Sequence, residues 1–168
     1  MDSAGSYGFF KPEIKQWIME HFVPESSILD VGAGSGTYYD LLHDAYSNID
    51  AVEIYLPNIA EWRLDEKYRT VYNDNIANFE YDYYDLIIFG DVLEHLPVED
   101  AQKVLNIAYS KCNNFIVAVP YCYPQDANEN LWEKHIQDDL TKENVLERYP
   151  MLQLLYGNDK YGYYIKKD

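Results

Sequence analysis

The sequence predicts an α/β fold with three layers, in which helices cover both faces of a mixed, seven-stranded β-sheet. Helix and strand patterns alternate along the 168 residues, and such alternation is typical of a parallel sheet with right-handed crossovers. The run over residues 84–89 is almost continuously apolar, as expected for a strand that is covered on both faces. Near the end of the chain, two strand patterns flank the turn-forming residues Gly157 to Lys160, which indicates an antiparallel hairpin.

The first part of the chain begins with a helix and then alternates strand and helix patterns. Pro12 suits the first turn of a helix, and apolar residues follow at helical spacing over residues 12–22. The run over 26–31 is apolar and stops at Gly32, as a short buried strand would. The elements that follow are a helix over 37–45, a strand over 49–54, a short helix over 58–64 and a short strand over 70–72.

The second part continues the same alternation. After the strand over 84–89, we expect a helix over 98–110, a strand over 114–119, and hairpin strands over 151–156 and 161–166. Thr141 opens a further helix that ends before Pro150, because its hydroxyl can cap the helix and Asn144 stands where a glutamate would complete a capping box. We predict one domain over residues 1–168, with residues 1–24 as an N-terminal lid and helix segment.

The composition excludes several classes of protein and partner. Hydrophobic residues make up 48% of the chain, which is typical of a globular domain. The 29 Asp and Glu against 13 Lys and Arg give a formal net charge of −16, which argues against nucleic acid as a main partner but leaves room for a short basic groove. No apolar run approaches the roughly 20 residues of a membrane span. The sequence shows no signal-peptide pattern, and its cysteines are Cys112 and Cys122. We therefore expect free thiols and a cytoplasmic location.

A glycine-rich loop follows the first predicted strand. Gly32, Gly34 and Gly36 alternate there, which lets the backbone approach a ligand closely. A dinucleotide site would need the pattern G-x-G-x-x-G, and here the third glycine comes one residue too early. Asp30, two residues before the loop, would repel a pyrophosphate but could orient an amino group. The loop therefore favours a ligand with ammonium or sulfonium character, with a nicotinamide-dependent oxidoreductase as the rival interpretation.

Two further acids come where the next two predicted strands end. Glu53 ends the second strand, where a carboxylate can accept hydrogen bonds from both hydroxyls of a ribose. Asp74 follows the third strand, where a carboxylate can accept from the exocyclic amine of an adenine. Each has a simpler interpretation: Glu53 as a solvated strand end, and Asp74 as a turn residue whose side chain bonds its own backbone.

Two segments resemble the class I S-adenosylmethionine-dependent methyltransferases: Ile-Leu-Asp-Val-Gly-Ala-Gly-Ser-Gly at 28–36 and Asp-Leu-Ile-Ile-Phe-Gly-Asp-Val-Leu-Glu-His-Leu at 85–96. The resemblance covers nearly the whole chain, including the terminal hairpin, and implies a Rossmann-like methyltransferase fold. It also implies S-adenosylmethionine as cofactor, with S-adenosylhomocysteine as product. The cofactor contacts that it implies are Asp30, Gly32, Ala33, Gly34, Gly36, Glu53, Ile54, Asp74, Asn75, Ile76, Gly90 and Asp91.

The resemblance also indicates where the methyl acceptor would bind. We expect an acceptor pocket that includes Tyr7, Glu94, His95 and Tyr121, with Tyr7 or Phe9 as part of a lid. His135 is the candidate catalytic base, because it lies in the long segment after the fifth strand, and its alternative is a surface histidine. For His95 we favour a structural role. No metal site is predicted, since the sequence contains neither an H-E-x-x-H motif nor a paired Asp constellation.

The predicted function is methyl transfer from S-adenosylmethionine to a small-molecule or glycan-type acceptor. The alternatives are a methyltransferase with a protein substrate, which an acidic surface could recruit, and a non-catalytic protein that binds S-adenosylmethionine. The sequence predicts no nucleic-acid or membrane partner. It does not indicate the oligomeric state or the acceptor atom.

Overall fold

The structure is a computed structural model that describes residues 8–168. Its strands are β1 (Ile28–Val31), β2 (Ile49–Val52), β3 (Val71–Tyr72), β4 (Tyr84–Gly90), β5 (Cys112–Pro120), β6 (Leu152–Gly157) and β7 (Tyr161–Lys166). Its helices are α1 (Lys11–His21), α2 (Thr37–Leu42), α3 (Leu56–Glu61), α4 (Leu64–Lys67), α5 (Val98–Ser110) and α6 (Lys142–Arg148). Two short 3-10 helices span Leu93–His95 and Leu131–Glu133.

The seven strands form a single mixed sheet in the order β3-β2-β1-β4-β5-β7-β6. Strands β1 to β5 run parallel to one another, whereas β7 runs antiparallel to both β5 and β6. The predicted seven-stranded sheet with a terminal hairpin is therefore confirmed. The strand order reverses between β1 and β4, which lie side by side with Val31 opposite Phe89. Ligands of such sheets bind beyond the carboxyl ends of the strands at this reversal.

The core consists of two apolar layers, one on each face of the sheet. Alternate residues of β4 point to opposite layers, because successive side chains of a strand alternate between faces. Ile87 packs with Val104 of α5, whereas Ile88 belongs to the layer that contains Ile18 of α1. Because both faces are covered, all four residues of β1 are buried. The predicted three-layer arrangement is confirmed.

The predicted helix over 58–64 is wrong in its bounds, because two short helices occupy this region. Helix α3 ends at Glu61, and α4 begins at Leu64 after Arg63 adopts a left-handed φ of 51°. The helix predicted over 37–45 is also shorter than expected and ends at Leu42. The chain then bends so that Tyr46 is buried, and its hydroxyl donates to the carbonyl oxygen of Phe22 at 2.9 Å.

Other features agree with the expectations from composition. The capping box of α6 is present, with Thr141 and Asn144 each accepting a hydrogen bond from the other's backbone N–H. Both cysteines are free thiols, with Cys112 buried and Cys122 exposed. Across residues 8–168, no helix combines the length and the apolar character that crossing a bilayer requires.

Candidate active site

The glycine loop lies at the carboxyl end of β1, next to the point where the strand order reverses. Gly32, Gly34 and Gly36 have φ angles of 70°, 54° and 84°, a region that side chains rarely adopt. The backbone N–H groups of Gly32 and Ala33 donate to the carbonyl oxygen of Val52, which ties the loop to β2. A Cβ atom on Gly32 would lie 2.7 Å from a methyl group of Val92, so this position requires glycine.

Glu53 joins this loop to the end of β2. Its Oε2 accepts a hydrogen bond from the N–H of Gly34 at 2.8 Å, and its Oε1 accepts from the N–H of Tyr55 at 2.8 Å. The side chain is buried, and burial raises the pKa of Glu53, although these two hydrogen bonds oppose the rise. Glu53 is therefore not a solvated strand end.

A buried acid and a half-buried base lie near the loop. Asp30 is 1% exposed and accepts a hydrogen bond from the Tyr68 hydroxyl at 2.5 Å, while burial raises the pKa of Asp30 to about 7. The ammonium group of Lys11 donates to the hydroxyls of Tyr38 and Tyr163 at 3.0 and 2.8 Å. Burial lowers the pKa of Lys11 to about 8, and the charges of the nearby acids, Asp30 among them, oppose this change.

Lys11 was not among the site residues predicted from the sequence. A single lysine before a helix carries no motif, and its partners Tyr38 and Tyr163 are 27 and 152 residues away in the chain. The one available signal is that Lys11 precedes Pro12 at the start of the first predicted helix. The fold then turns this start of α1 toward the carboxyl ends of the strands.

The end of β4 completes this part of the site. A Cβ atom on Gly90 would collide with the ring of Tyr38, so the absence of a side chain lets that ring cover the strand end. Asp91 follows with a left-handed φ of 55°, and its Oδ1 accepts a hydrogen bond from the Tyr161 hydroxyl at 2.8 Å. Tyr38 therefore links the start of α1, through Lys11, to the end of β4.

The segment proposed to hold an adenine lies beside the end of β2. The Nδ2 atom of Asn73 donates to the carbonyl oxygens of Glu53 and Ile54 at 2.8 and 3.1 Å, and so connects the two loops. Asp74 is exposed, and its Oδ1 accepts from the N–H of Asn75 at 2.7 Å, as in the turn that was its alternative interpretation. Ile76 is buried at the base of this loop.

On the acceptor side, Glu94, His95 and His135 come together although His135 is 40 residues away in the chain. The backbone N–H groups of Ile136 and Gln137 both donate to the carbonyl oxygen of Glu94, at 2.8 and 2.9 Å. The rings of His95 and His135 meet edge to face with their centroids 4.7 Å apart. His135 is buried, so its interpretation as a surface histidine is wrong.

The two histidine rings share one hydrogen-bonding pattern. The Nδ1 atom of His135 lies 2.6 Å from the carbonyl oxygen of Tyr123, and that of His95 lies 3.1 Å from the carbonyl oxygen of Lys134. Because a carbonyl only accepts, Nδ1 of His135 carries the proton and its Nε2 keeps a lone pair. The ring of His95 also has hydrogen-bond partners in the backbone of Asp91 and Glu133. Burial lowers the pKa of His95 to about 4 and also lowers the pKa of His135, which keeps both rings neutral at pH 7.

The remaining predicted residues lie apart from this cluster or outside the described residues. The hydroxyl of Tyr121 forms a hydrogen bond with the hydroxyl of Tyr164, and its side chain occupies the space that a Cβ on Gly162 would need. Tyr7 lies outside the described residues. The ring of Phe9 packs 5.9 Å from that of Tyr161.

Glu133 is a further acid near the histidine cluster, and it was not among the predicted site residues. Burial raises the pKa of Glu133 to about 7, and the charges of Glu53 and Asp91 add to the rise. The Glu133 carboxyl accepts hydrogen bonds from the side-chain amides of Gln125 and Asn130, at 3.3 and 3.4 Å. Its position two residues before His135 is the signal that a sequence search could have used.

The family model described as a methyltransferase domain matches residues 10–144. The chain belongs to this methyltransferase family. The match extends from α1 into α6, and so includes the glycine loop, Glu53 and the Glu94 cluster. A comparison of this methyltransferase with curated proteins found no match.

Solved structures with the same fold include several methyltransferases. A S-adenosylmethionine-dependent methyltransferase from Clostridium acetobutylicum ATCC 824 superposes with a TM-score of 0.72 at 13% identity, covering 97% of this chain and 92% of that one. Magnesium protoporphyrin IX methyltransferase from Synechocystis PCC 6803, with bound SAM, gives 0.67 at 14% identity, with 97% and 86% covered. The 1,6-didemethyltoxoflavin-N1-methyltransferase of Burkholderia thailandensis gives 0.68 at 14% identity, with 95% and 79% covered.

These identities are low, and the superpositions show a shared fold. Together with the family match, they confirm the resemblance found in the sequence: this methyltransferase is of the class I, S-adenosylmethionine-dependent type. The rival interpretation as a nicotinamide-dependent oxidoreductase is set aside by the same match.

Proposed function

We propose that this methyltransferase transfers the methyl group of S-adenosylmethionine to a small-molecule acceptor, glycan-type acceptors included, at the carboxyl ends of β1, β2 and β4. The observation that carries the proposal is the 2.8 Å hydrogen bond from the N–H of Gly34 to Glu53. This hydrogen bond holds the Glu53 carboxylate, which suits a ribose diol, directly against the glycine loop. The three glycines of that loop have no side chains that would block a ligand. The adenine would then lie toward the loop of Asp74, Asn75 and Ile76, which Asn73 connects to Glu53 and Ile54.

The charges at the other end of the site match the amino-acid part of the cofactor. That part carries one carboxylate and one ammonium group, and the sulfonium adds a second positive charge. Lys11 provides a cation for the carboxylate, while Asp30 and Asp91 provide the acids that favour the positive groups.

The acceptor would bind between the end of β4 and the loop that contains His135. Three exposed apolar side chains rim this loop: Leu131, Trp132 and Ile136. Such a rim suits a flat or apolar small molecule. A neutral His135, whose Nδ1 proton is held by the carbonyl of Tyr123, has the lone pair that a general base requires. The named substrates of two structural neighbours, magnesium protoporphyrin IX and 1,6-didemethyltoxoflavin, are also small molecules.

We place the protein in the cytoplasm, because its two cysteines are free thiols. Its net charge is strongly negative. The same charge supports a function without nucleic acid, since phosphate backbones are bound by Lys and Arg.

The test is turnover with a panel of acceptors. The protein is incubated with S-adenosylmethionine and a porphyrin carboxylic acid, a nitrogen heterocycle, a phenol, an oligosaccharide or a lysine-rich peptide, and S-adenosylhomocysteine is measured. We expect product with at least one small molecule, and a loss of at least tenfold in the His135→Gln variant with cofactor affinity unchanged. Glu61→Gln, an exposed acid on α3, is the matched control and keeps full turnover.

Two results would contradict the proposal in different ways. Product with the lysine-rich peptide alone would indicate a protein substrate. Cofactor binding without product from any member of a broad panel would indicate a non-catalytic protein that binds S-adenosylmethionine.

A further inference from the structure

We propose that Glu94, His95 and His135 form a binding site for one divalent first-row transition-metal ion. Each of the three residues offers one ligand atom, and these atoms all lie within 4.8 Å of one another. Ligands of one tetrahedral zinc ion are about 3.4 Å apart when each bond is about 2.1 Å. Small side-chain rotations therefore suffice to bring the three atoms onto one ion.

The histidine rings are already oriented as metal ligands. Each Nδ1 proton is given to a backbone carbonyl, that of Tyr123 for His135 and that of Lys134 for His95. Metal-bound histidines almost always donate their second ring nitrogen to such a group, which fixes the tautomer and the direction of the ring. In His135, Nε2 is then the ligand atom, and its Nδ1 hydrogen bond to Tyr123 is kept. In His95, whose ring also meets the backbone of Asp91 and Glu133, one of the two ring nitrogens is the ligand atom.

The Glu94 carboxyl provides the independent observation. Its side chain is 1% exposed, and neither carboxyl oxygen receives a hydrogen bond from any residue between 8 and 168. Buried carboxyl groups are nearly always hydrogen-bonded, and an exception calls for a partner such as a bound ion. A cation held by the two imidazoles would supply this partner.

The backbone around the cluster is fixed before any ion binds. The side-chain amide of Gln137 donates to the carbonyl oxygens of Leu93 and Leu96 at 2.8 and 2.9 Å, and two backbone N–H groups donate to that of Glu94. These bonds attach the segment that contains His135 to the 3-10 helix that contains Glu94 and His95. Because the fold already holds the ligand residues in place, metal binding costs little conformational entropy.

The donor set indicates which ions fit. Two imidazoles and one carboxylate suit zinc, cobalt, manganese or iron, whereas magnesium and calcium prefer oxygen ligands. Three protein ligands also leave a coordination position open, as in catalytic rather than structural zinc sites. In the metal-loaded protein His135 is a ligand and no longer the base.

The position of the ion suggests its purpose, and this step rests on the proposed function. Glu94 lies in the 3-10 helix that follows the end of β4, so an ion held there, with its open position, would lie beside the proposed acceptor site. An acceptor hydroxyl bound there would lose its proton to solvent more readily. Its oxygen would then form a bond to the methyl carbon while the carbon–sulfur bond breaks, and the electron pair would return to sulfur to give the neutral thioether of S-adenosylhomocysteine.

The test measures metal binding by the chelator-treated protein without cofactor. Zinc is titrated calorimetrically and cobalt is followed by its visible absorption. We expect one ion per chain, and at least tenfold weaker binding in both Glu94→Gln and His135→Gln. His43→Gln is the matched control, because His43 is an exposed histidine outside the cluster and stacks on Tyr39.

Several outcomes would overturn the metal site. These are no stoichiometric binding by the unaltered protein, unchanged affinity in both cluster variants, or an equal loss in His43→Gln. If Glu94→Gln does not fold, the cobalt spectrum of the unaltered protein and the His135→Gln titration decide. Binding of S-adenosylhomocysteine is measured in parallel, so that metal binding without cofactor binding refutes the proposed function and leaves the metal site standing.

Discussion

At the scale of single residues, Glu53 has the most definite role to test. Replacing it with alanine removes the acceptor proposed for the ribose hydroxyls. Hydrogen bonds to a charged group contribute about 1.5–3 kcal/mol, so we expect at least tenfold weaker binding of S-adenosylhomocysteine in a calorimetric titration. Unchanged affinity would remove Glu53 from the cofactor site.

Two controls separate binding from folding in this experiment. Glu61→Ala changes an exposed acid on α3 and should leave the affinity unaltered. Glu53→Gln keeps an oxygen that can accept from Gly34, so it should unfold near the temperature of the unaltered protein while still binding the cofactor more weakly.

Asp30 leads to a prediction about stability and pH. Burial raises the pKa of Asp30 to about 7, above the value of about 3.9 that an unfolded chain gives it. The unfolded state therefore ionises first, and Asp30 lowers the free energy of unfolding progressively as the pH rises from about 4 to about 7. Asp30→Asn cannot ionise, and its stability relative to the unaltered protein should increase across this interval.

Urea denaturation of both proteins between pH 4 and pH 8 measures this difference. A stability difference that stays constant with pH would show that Asp30 does not titrate in this range. A buried acid that costs stability is reasonable at this position, because its negative charge is useful once a positively charged ligand is bound.

At the scale of secondary-structure elements, a buried acid that pairs with an exposed arginine connects neighbouring parts of the sheet. Asp50 of β2 accepts two hydrogen bonds from Arg69, just before β3, at 2.9 and 2.6 Å, and one from the hydroxyl of Tyr84 of β4 at 2.8 Å. Burial alone would raise the pKa of Asp50, but these partners outweigh it and lower the pKa below its usual value.

We expect Asp50→Asn to lower the free energy of unfolding by about 1–3 kcal/mol at pH 7, because it weakens hydrogen bonds in a buried group. Since the pKa of Asp50 is lower in the folded state, its contribution is present above about pH 4 and is lost as the pH falls further. Urea denaturation at pH 7 and pH 3.5 measures both effects. An equal loss at the two pH values would contradict the account.

The elements that the sequence predicted best are those with long and regular apolar patterns. The helix over 98–110 matches α5 residue for residue, and the strand over 84–89 matches β4 to within one residue. The helix over 58–64 was wrong because the break at Arg63 is a backbone conformation that apolar spacing does not reveal. Short helices carry too few turns for the pattern to locate their ends.

The candidate site shows the same difference between residues that a regular pattern locates and residues that it does not. Gly32, Glu53 and Asp91 each come directly after a strand, where parallel topology places ligands. The structure brings Gly32 and Glu53 together with Gly34, two residues further along the same loop. The cluster of Glu94, His95 and His135 depends instead on a loop that returns across 40 residues. Spacing rules for metal sites cover ligands that are near in sequence, and they could not group these three.

At the scale of the whole molecule, the acidic charge is unevenly distributed. Residues 70–102 contain eight Asp and Glu and no Lys or Arg, and Asp91 and Glu94 among them face the candidate site. Asp30 and Glu53 add their carboxyl groups from the neighbouring strands. Such surroundings favour a cationic sulfonium and disfavour a pyrophosphate, so the charge supports the same cofactor as the glycine loop.

The abundance of tyrosine also has a structural meaning at this scale. Of the largest fully buried side chains, four are tyrosines: Tyr149, Tyr161, Tyr163 and Tyr164. Their rings fill the core, while hydroxyls such as those of Tyr161 and Tyr163 reach Asp91 and Lys11 at the candidate site. The antiparallel strand β7 therefore contributes both packing and polar contacts to the edge where the cofactor would bind.

The central claim is that the carboxyl ends of β1, β2 and β4 hold S-adenosylmethionine. Its most direct test is a calorimetric titration of the protein with S-adenosylhomocysteine, with NAD titrated under the same conditions. The account predicts saturable binding of one S-adenosylhomocysteine per chain and weaker or undetectable binding of NAD. An absence of binding at millimolar S-adenosylhomocysteine, or tighter binding of NAD, would contradict it.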